Sequence, residues 1–535
     1  MLERPPPRDA ELARSYRDRG YWTGESLADA LERTAARRGP EVAVVDAGVR
    51  LSFADLRRLV TAAARGLARL GVAPGAVVSI QLPNWWETVV LFGAVARLGA
   101  VIHPILPTHR RQELELTIAE AGSRLLVVPQ AYRGFDHLAL ANELRAAPGI
   151  ERIVVVRGAA GHGASAFAEL LEATSVSLPP PPRGDSLLLL MYTSGTSAEP
   201  KGVLHSHDAL LYEARSLERA HGLAPADTVL MPSPLAHVSG FVHATLVPFV
   251  LGTRAVLADV WDPDAALRSI ERERVTYMVG APLFLSDLCT HPHLDPGRIA
   301  SLRLFSCGGA DVSPDLVLDA RRRLGCVVKR VYGSTELPTL TTSAQDDPPA
   351  RAAFTDGRPI WAAEAKVVGE GGEEVPRGIE GDVLGRGPEC FLGYRNPAHD
   401  ADAFAPGAWF RTGDLGAVDE RGYLTITGRR KDIVIRKGEK LSAAEVEEAI
   451  RKHPAVADVA VIAVPDRATG ERACACVVTR DGTPLPLPVL IAFLRDSGMA
   501  TRKLPERIES FERLPRTASG KIAKAALREL VLSRG

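Results

Sequence analysis

The sequence predicts an α/β fold. We expect a large N-terminal α/β unit of several subdomains, with layered sheets and a small β-barrel-like part, followed by a small, mobile α+β C-terminal domain. Three observations favour this class. The first 180 or so residues alternate helical patterns with short apolar runs, which is typical of buried, largely parallel strands. Beyond about residue 365 the texture changes to Gly-rich β-type segments. With 535 residues, 46% of them hydrophobic, the chain can build several cores.

The large unit is defined by alternating helical and strand-like segments. Helical spacing covers residues 26–38 and 53–70, and apolar strand-like runs cover 42–46 and 77–81. Loops at 158–163 and 179–182 precede a very apolar strand at 187–192. Further strands are predicted at 228–231, 254–257, 277–279, 302–306, 364–368, 381–386 and 422–427.

A compact α+β pattern follows residue 431. Ser442 and Glu445 have capping-box spacing, which fixes the start of a helix over 442–452. We place the domain boundary near 428–432, which gives domains 1–428 and 429–535. The remaining elements predicted here are strands at 433–435, 456–464 and 473–479 and helices near residues 488 and 523.

Charge and composition exclude several classes of partner. Lys plus Arg (65) balances Asp plus Glu (65), so no global field attracts nucleic acid. The most apolar stretches, near 89–106 and 240–257, are interrupted by Arg or His, so we expect no membrane span. The charged, Pro-rich N-terminus lacks the apolar run of a secretory signal, and we expect a cytoplasmic protein. The six cysteines lack ligand-like clustering and indicate a reduced compartment.

The strongest local signal is the segment YTSGTSAEPKGV, directly after the apolar strand at 187–192. Small hydroxyl residues and a glycine can bring N–H and O–H donors against phosphate oxygens, and a lysine adds a point charge. The GxxxxGK[ST] spacing of a Walker A loop is absent. By composition alone, an ordinary Ser/Thr turn is the commoner interpretation. The phosphate-binding candidates are Thr193, Ser194, Gly195, Thr196, Ser197 and Lys201.

Two later segments could complete a nucleotide site. VYGSTE at 331–336 offers an aromatic face for a base and a carboxylate for Mg²⁺. WFRTGDL at 409–415 offers a carboxylate suited to two ribose hydroxyls. Either segment alone fits an ordinary turn.

Because all these motifs occur in one order, the sequence resembles the acyl-adenylate-forming superfamily of acyl-CoA synthetases, peptide-synthetase adenylation domains and beetle luciferases. The resemblance covers essentially the whole chain, and residues 15–31 look like the aryl-acid and cyclohexanecarboxylate-activating branch. It implies a carboxylic acid:CoA ligase. Such an enzyme uses ATP and Mg²⁺ to form an acyl-AMP, and then transfers the acyl group to the thiol of coenzyme A.

The resemblance also implies roles for individual residues around the nucleotide. The hydroxyl loop and Lys201 would hold the β- and γ-phosphates, and Tyr332 would stack on adenine. Thr335 would contact the α-phosphate, and Glu336 would ligate Mg²⁺. The matched ribose positions are Asp414 and Arg429. The matched backbone positions beside the nucleotide are Gly309, Ala310 and Gly333.

The segment PLAHVSGF at 234–241 matches the wall of the acyl pocket in that superfamily. His237 would be a gate or a neighbour of the substrate carboxylate, and a purely structural histidine is the alternative. No Asp stands at 235–247 to pair with the ammonium of an amino acid. Val238 replaces the Asn of dihydroxybenzoate-activating relatives. The mostly apolar lining suits an aliphatic, alicyclic or simple aryl acid. The implied pocket residues are His237, Val238, Phe241, Gly308, Gly309 and Ala310.

Two C-terminal motifs are matched as well. PRTASGK at 515–521 implies that Lys521 is catalytic in adenylation, together with Glu336, Thr335 and His237. GRRKD at 428–432 implies a hinge with Lys431 at its pivot. The segment 436–441 would then enter for the thiol step and place Lys437 and Gly438 in the thiol channel.

Two departures from the family pattern leave the acceptor open. Ala198 stands where glycine is common, and Lys437 where a second glycine often precedes Gly438. Lys437 either contacts a coenzyme A phosphate or narrows the thiol channel. The main alternative is therefore an adenylating enzyme that loads the phosphopantetheine of a carrier protein. A non-catalytic acyl-nucleotide sensor is a third hypothesis. We expect a monomer or homodimer.

Overall fold

Helices and strands alternate along the chain in a computed structural model, much as the apolar pattern predicts. The structure describes residues 5, 9–145, 149–159, 161, 163–172, 175–193, 200–436, 439–466, 470–497, 499–517 and 520–534. The chain forms two compact units. The first unit comprises Met1–Ala353, Gly357–Glu364 and Gly385–Phe410, and the second comprises Phe354–Asp356, Ala365–Leu384 and Arg411–Gly535.

A nine-stranded sheet lies in the first unit. Its six central strands are parallel, and antiparallel strands close both edges. Successive side chains along Val42–Asp46 enter different cores, Val44 on one face and Val45 on the other, as the two-residue strand period requires. The strands in spatial order are Arg358–Pro359, Thr341–Thr342, Val327–Tyr332, Leu304–Gly308, Tyr277–Gly280, Thr228–Met231, Arg254–Leu257, Val42–Asp46 and Val49–Ser52.

An eight-stranded sheet lies in the same unit. Six of its strands are parallel, and two antiparallel strands form one edge. The predicted apolar strand is Leu187–Tyr192, and its first five residues are buried. In spatial order the strands are Gly393–Tyr394, Gly202–Ser206, Leu187–Tyr192, Val101–Pro104, Val77–Ile80, Leu125–Pro129, Arg152–Val156 and Ala164–Ala166.

Helices cover both faces of both sheets. One core cluster contains side chains from the two sheets and from the helices between them, while two further clusters lie on the outer faces. The layers therefore alternate helix, sheet, helix, sheet, helix. Helices begin at capping boxes formed by Ser26 with Asp29 and Ser52 with Asp55, each cap being worth about 1 kcal/mol.

The helices of this region are bounded as follows: Ala10–Asp18, Leu27–Arg38, Phe53–Arg69, Trp86–Arg97, Arg111–Ala121, His137–Leu144, Phe167–Leu171, His207–His221, Val238–Phe241, the π turn Val242–Leu246, Val247–Leu251, Pro263–Glu273, Pro282–Thr290, Pro314–Leu324, Pro349–Phe354 and the 3₁₀ turn Pro397–Asp400. A small hairpin pairs Ala131–Tyr132 with Phe135–Asp136.

The C-terminal α+β pattern has its own sheet and helices in the second unit. Strand Gly470–Thr479 lies between antiparallel neighbours and is parallel to Arg507–Ser510. Its two faces pack into separate apolar clusters. The other elements are strands Glu439–Ser442, Ile433–Arg436 and Val456–Asp466, helices Ala443–Arg451, Leu487–Asp496 and Lys524–Ser533, and 3₁₀ turns Arg430–Asp432 and Thr501–Lys503.

A third mainly β region contains Glu364–Val368, Gly381–Arg386, Trp409–Val418, Phe404–Ala405 and Leu424–Arg429.

The predicted fold class of layered α/β sheets with a small C-terminal domain is confirmed. Two predicted strands are displaced. The strand predicted at 302–306 is Leu304–Gly308, because the Leu302 amide donates to Ile299 O in a turn. The strand predicted at 422–427 is Leu424–Arg429, since Gly422 closes a turn with Asp419 O at φ +84°. The boundary between residues 428 and 429 stays a prediction.

No helix in the described part of the chain has the length and hydropathy that crossing a bilayer requires.

Candidate active site

The predicted metal ligand Glu336 lies in a loop after strand Val327–Tyr332, and residues of the eight-stranded sheet hold that loop. The Tyr394 hydroxyl donates to Glu336 Oε1 at 2.8 Å, and the Phe391 amide donates to Glu336 O at 2.8 Å. Tyr394 belongs to the edge strand of the eight-stranded sheet. Its pKa is raised by burial and by the Glu336 charge, so the hydroxyl keeps its proton and donates.

Tyr394 also contacts the predicted phosphate-binding lysine. The Lys201 Nζ lies 5.0 Å from the centroid of the Tyr394 ring, within cation–π range. One tyrosine therefore touches both the lysine expected to hold phosphate and the carboxylate expected to hold Mg²⁺. The structure thus brings together residues that are 135 positions apart in the sequence (336 minus 201).

Thr335 is fixed by a buried histidine. The His205 Nε2 lies 2.7 Å from Thr335 O, and because a carbonyl only accepts, the proton is on Nε2. Burial lowers the pKa of His205 to about 4, so the ring is neutral at physiological pH. Strand Gly202–Ser206, which carries His205, pairs with the strand of Tyr394. Both Thr335 and Glu336 are therefore held by the same edge of the eight-stranded sheet.

The loop around Tyr332 and Gly333 folds back on itself. Leu340 N donates to Tyr332 O at 2.9 Å, and Ser334 N donates to Leu337 O at 2.8 Å. A Cβ on Gly333 would lie 2.0 Å from Pro338 O, which no side chain tolerates. Tyr332 itself is half-buried at the end of its strand.

The predicted strip Gly308–Ala310 follows the neighbouring parallel strand. A Cβ on Gly308 would lie 2.3 Å from Val331 O, and Gly309 has φ +78°. Gly309 and Ala310 are exposed. The strip is therefore open backbone beside the Tyr332 loop, at the carboxyl ends of two parallel strands, where α/β sheets bind ligands.

The predicted acyl-wall segment forms a tight turn. His237 N donates to Pro234 O at 2.9 Å, and Phe241 N donates to His237 O at 2.8 Å. A Cβ on Gly240 would lie 2.0 Å from Pro234 O. His237 and Val238 are half-buried, whereas Phe241 is fully buried, with its ring centroid 5.3 Å from that of Phe92.

Several predicted residues lie outside the described part of the chain. These are Ser194, Gly195, Thr196 and Ser197 of the hydroxyl loop and Lys437 and Gly438 of the thiol channel. The base of the loop is described: Thr193 N donates to Lys201 O at 3.0 Å. The Lys431 backbone belongs to the 3₁₀ turn Arg430–Asp432.

The predicted ribose ligands form an ion pair within the second unit. Arg429 Nε lies 3.1 Å from Asp414 Oδ1, and the two residues are directly opposite on antiparallel strands. The Asp414 amide donates to Thr412 Oγ1 at 3.1 Å, and Thr412 donates to Val383 O. Asp414 is buried, and its carboxylate is thus oriented before any ligand binds.

Lys521 lies in a hairpin of the second unit. Thr517 N donates to Lys521 O at 2.7 Å, Ala523 N donates to Pro515 O at 2.8 Å, and Gly520 has φ +83°. Leu514 and Ile522 pack on the apolar cluster that contains the buried thiols of the second unit, so the hairpin is anchored on both sides.

Sequence reasoning missed Tyr394 and His205. His205 carries a weak signal, because it is a polar residue that directly follows the apolar residues Val203 and Leu204. Tyr394 carries none, since its role depends on the pairing of Tyr394 with Val203 across the sheet.

A second missed feature is a pair of buried glutamates. Thr339 Oγ1 donates to Glu213 Oε1 at 2.7 Å, three residues after Glu336. Burial raises the pKa of Glu213 to about 8. Burial raises the pKa of Glu389 as well. Burial in the folded enzyme therefore favours the protonated, uncharged form of both carboxyl groups.

Comparisons with known proteins identify the family of this chain. Residues 31–395 match the family model described as AMP-binding enzyme, and residues 445–521 match the model of the AMP-binding enzyme C-terminal domain. The chain belongs to the AMP-binding enzyme family.

This AMP-binding enzyme has relatives of two kinds. It is 36% identical to the medium-chain fatty-acid–CoA ligase of Escherichia coli (strain K12), over 97% of this chain and 93% of the relative. It is 35% identical to the salicyl-AMP ligase / salicyl-S-ArCP synthetase of Mycobacterium tuberculosis, over 99% of this chain and 95% of the relative. ATP-bound MatB from Rhodopseudomonas palustris superposes with a TM-score of 0.85 at 28% identity, over 94% of this chain and 98% of that chain.

The Glu213→Gln variant tests the buried carboxyl group. Between about pH 5 and about pH 8 the folded enzyme keeps the Glu213 proton while the unfolded chain releases it, so stability falls as pH rises, by up to about 1.4 kcal/mol per pH unit. Glutamine cannot ionise and removes this contribution. We expect the thermal unfolding midpoint of Glu213→Gln to rise relative to the unaltered enzyme as pH increases.

Glu218→Gln, at an exposed position of the same helix, is the control. Midpoint-versus-pH curves for Glu213→Gln that run parallel to those of the unaltered enzyme would show that Glu213 is ionised in the fold.

Proposed function

We propose that this AMP-binding enzyme is an ATP-dependent carboxylic acid:CoA ligase. It activates an apolar aliphatic, alicyclic or aryl carboxylate as acyl-AMP and then forms an acyl thioester. The observation that carries the proposal is the arrangement of Lys201, Tyr394 and Glu336. It places a cation against the ring of one tyrosine and a carboxylate at the hydroxyl of the same tyrosine. Relatives that are CoA ligases by name support it.

The first half-reaction needs charge control more than a protein nucleophile. A substrate carboxylate oxygen bonds to the α-phosphorus of ATP, and the bond to the pyrophosphate oxygen breaks. Mg²⁺, when bound, neutralises the charge that develops on the departing pyrophosphate. Glu336 suits a hard cation, since Tyr394 occupies Oε1 and orients the carboxylate. Lys201 and the hydroxyl loop hold the phosphates, and Thr335 contacts the α-phosphate.

The second unit contributes residues to both half-reactions in this proposal. Lys521 stabilises the charge of the adenylation transition state, and Asp414 and Arg429 bind ribose, with Arg429 moving off Asp414 Oδ1 or sharing it with a hydroxyl. Lys431 is the pivot of a domain rotation, after which Lys437 and Gly438 line the thiol channel.

The acid would lie between the segment 237–241 and the strip Gly308–Ala310. Val238 offers an apolar side chain and the strip carries no polar side chain, which suits an apolar acid. His237 stands at the start of its helix, where its side chain is half exposed. The named substrates of the relatives, a medium-chain fatty acid and salicylate, fit this class.

Transfer to a carrier-protein phosphopantetheine is the second candidate for the thiol step. It is supported by the salicyl-S-ArCP synthetase, whose 35% identity nearly equals the 36% of the fatty-acid–CoA ligase. Both acceptors present the same thiol, so the adenylation chemistry is unchanged. Only the approach to the thiol channel differs between them.

Acid-dependent pyrophosphate release tests the proposal. A panel of fatty, alicyclic and aryl acids is offered with ATP and Mg²⁺, and pyrophosphate and acyl-AMP are measured without any thiol. Coenzyme A or a phosphopantetheinylated carrier protein is then added to the acyl-AMP complex. We expect at least one acid to yield acyl-AMP and coenzyme A to accept it faster. Faster loading of the carrier protein would favour the alternative, and nucleotide binding without pyrophosphate release would overturn both.

Lys521→Ala should separate the half-reactions. Losing one preorganised transition-state donor lowers adenylation by about 10²-fold or more, while thioester formation from supplied acyl-AMP is spared. Single-turnover assays of each half-reaction measure the split. Lys452→Ala, at an exposed lysine of the same unit that pairs only loosely with Glu448, is the control. Equal damage to both half-reactions would contradict the role of Lys521.

Tyr394→Phe should weaken the response to Mg²⁺. The ring and its contact with Lys201 remain, but Glu336 loses the hydrogen bond that orients it, and such losses cost about tenfold or more in metal affinity. The Mg²⁺ concentration for half-maximal pyrophosphate release should rise accordingly.

Tyr132→Phe is the matched control, since its hydroxyl also donates one hydrogen bond, to Asp259 O at 2.8 Å. An unchanged Mg²⁺ requirement in Tyr394→Phe would show that Tyr394 does not position the metal ligand.

A further inference from the structure

A group of buried polar side chains lies in the core of the first unit. Its members come from the π turn Val242–Leu246, from two strands of the nine-stranded sheet, and from the last residue of helix His207–His221. None of these side chains belongs to the sequence motifs described above. All of them are at most 5% exposed. The members are His243, Tyr277, Ser306 and His221.

The hydrogen bonds of His243 fix which atoms carry protons. The His243 Nδ1 lies 2.9 Å from Ser239 O, and a carbonyl only accepts, so Nδ1 carries a proton. Burial lowers the pKa of His243 to about 4, which leaves Nε2 unprotonated. The Tyr277 hydroxyl, 3.1 Å from Nε2, must therefore donate to it. Burial raises the pKa of Tyr277, consistent with a hydroxyl that keeps this proton.

Ser306 and His221 lie beside Tyr277. Ser306 Oγ lies 3.4 Å from His221 Nε2, and the ring centroids of His221 and Tyr277 are 5.4 Å apart. Strand Tyr277–Gly280 pairs in parallel with strand Leu304–Gly308, which carries Ser306. Burial holds the pKa of His221 well below its ordinary value, so that ring is neutral too.

The Tyr277–His243 hydrogen bond is connected to both walls of the proposed acyl site. Ser239, whose carbonyl accepts from His243, lies inside the segment 237–241. Tyr277 lies on a strand that pairs in parallel with strand Leu304–Gly308, which leads into the strip Gly308–Ala310. Side-chain hydrogen bonds and one pair of parallel strands thus join the helical wall to the backbone strip.

We propose that the Tyr277–His243 hydrogen bond sets the distance between these two walls and so selects the width of the acid that binds. Tyr277 and His243 are positioning residues, since they act through the walls and touch no substrate. The inference rests on the proposed function, because it assumes that the acid lies between those walls.

The physical basis is the cost of breaking a buried hydrogen bond. A buried donor or acceptor without its partner costs about 1–3 kcal/mol, and neither Tyr277 nor His243 can turn to water, because each is at most 5% exposed. His243 belongs to the π turn Val242–Leu246, which directly follows the wall segment 237–241. Shifts of either wall that lengthen the Tyr277–His243 hydrogen bond are therefore opposed.

Tyr277→Phe tests the proposal. The ring stays packed, but the hydrogen bond to His243 is lost. Dissociation constants for narrow straight-chain acids and wide aryl acids are measured by titration calorimetry with the nucleotide site occupied by AMP. We expect the ratio of the two constants to change by about tenfold, the scale on which a misfitted methylene counts in an apolar pocket, with the KM for ATP unchanged.

Tyr212→Phe is the matched control, because Tyr212 is equally buried and its hydroxyl donates to Trp361 O, away from either wall. If Tyr277→Phe fails to fold, His243→Leu removes the same hydrogen bond and the same ratio is measured. A ratio that stays equal to that of the unaltered enzyme and of Tyr212→Phe overturns the proposal. Because the readout is binding, this failure differs from that of the proposed function, which shows as absent pyrophosphate release with every acid.

Discussion

The hydrogen bond from Tyr394 to Glu336 is the interaction on which the rest of the candidate site depends. It joins the edge strand of one sheet to a loop at the carboxyl end of the other. The same ring lies beside Lys201, and the neighbouring strand fixes Thr335 through His205. Lys201, Thr335 and Glu336 are therefore held by the same edge of the eight-stranded sheet. The adenylation chemistry proposed for them needs such preorganisation, because its rate depends on charges that are already in place.

Much of the fold could be predicted from hydrophobic patterning. Strands such as Leu187–Tyr192 are short apolar runs with buried faces on both sides, and that burial is what the run encodes. A predicted strand bound was wrong where a backbone amide donates within a turn and not to a neighbouring strand, as the Leu302 amide does. Strand order was beyond reach: Val42–Asp46 pairs with Arg254–Leu257, more than 200 residues away, and only tertiary packing decides such a pairing.

In the candidate site, too, some residues could be predicted from the sequence and others could not. The chemistry of their own segments indicated Glu336 and Asp414 as candidates, and the family resemblance of PRTASGK indicated Lys521. The residues that orient them were not indicated, because Tyr394 is brought to Glu336 by an antiparallel pairing with Val203. For Asp414 and Arg429 the sequence indicated both residues but not their contact. The two residues are paired because they lie directly opposite each other on antiparallel strands. Glu213 was missed, since burial of a helix face by two sheets is not a local property.

Glu336, held by Tyr394, is the metal ligand of the ATP site in the mechanism proposed for this enzyme. Anomalous diffraction from crystals grown with ATP and Mn²⁺ in place of Mg²⁺ tests that role directly. We expect an anomalous peak within coordination distance of the Glu336 carboxylate, with the Tyr394 hydroxyl still hydrogen-bonded to its other oxygen. A Mn²⁺ peak on the ATP phosphates with Glu336 out of coordination reach would contradict it.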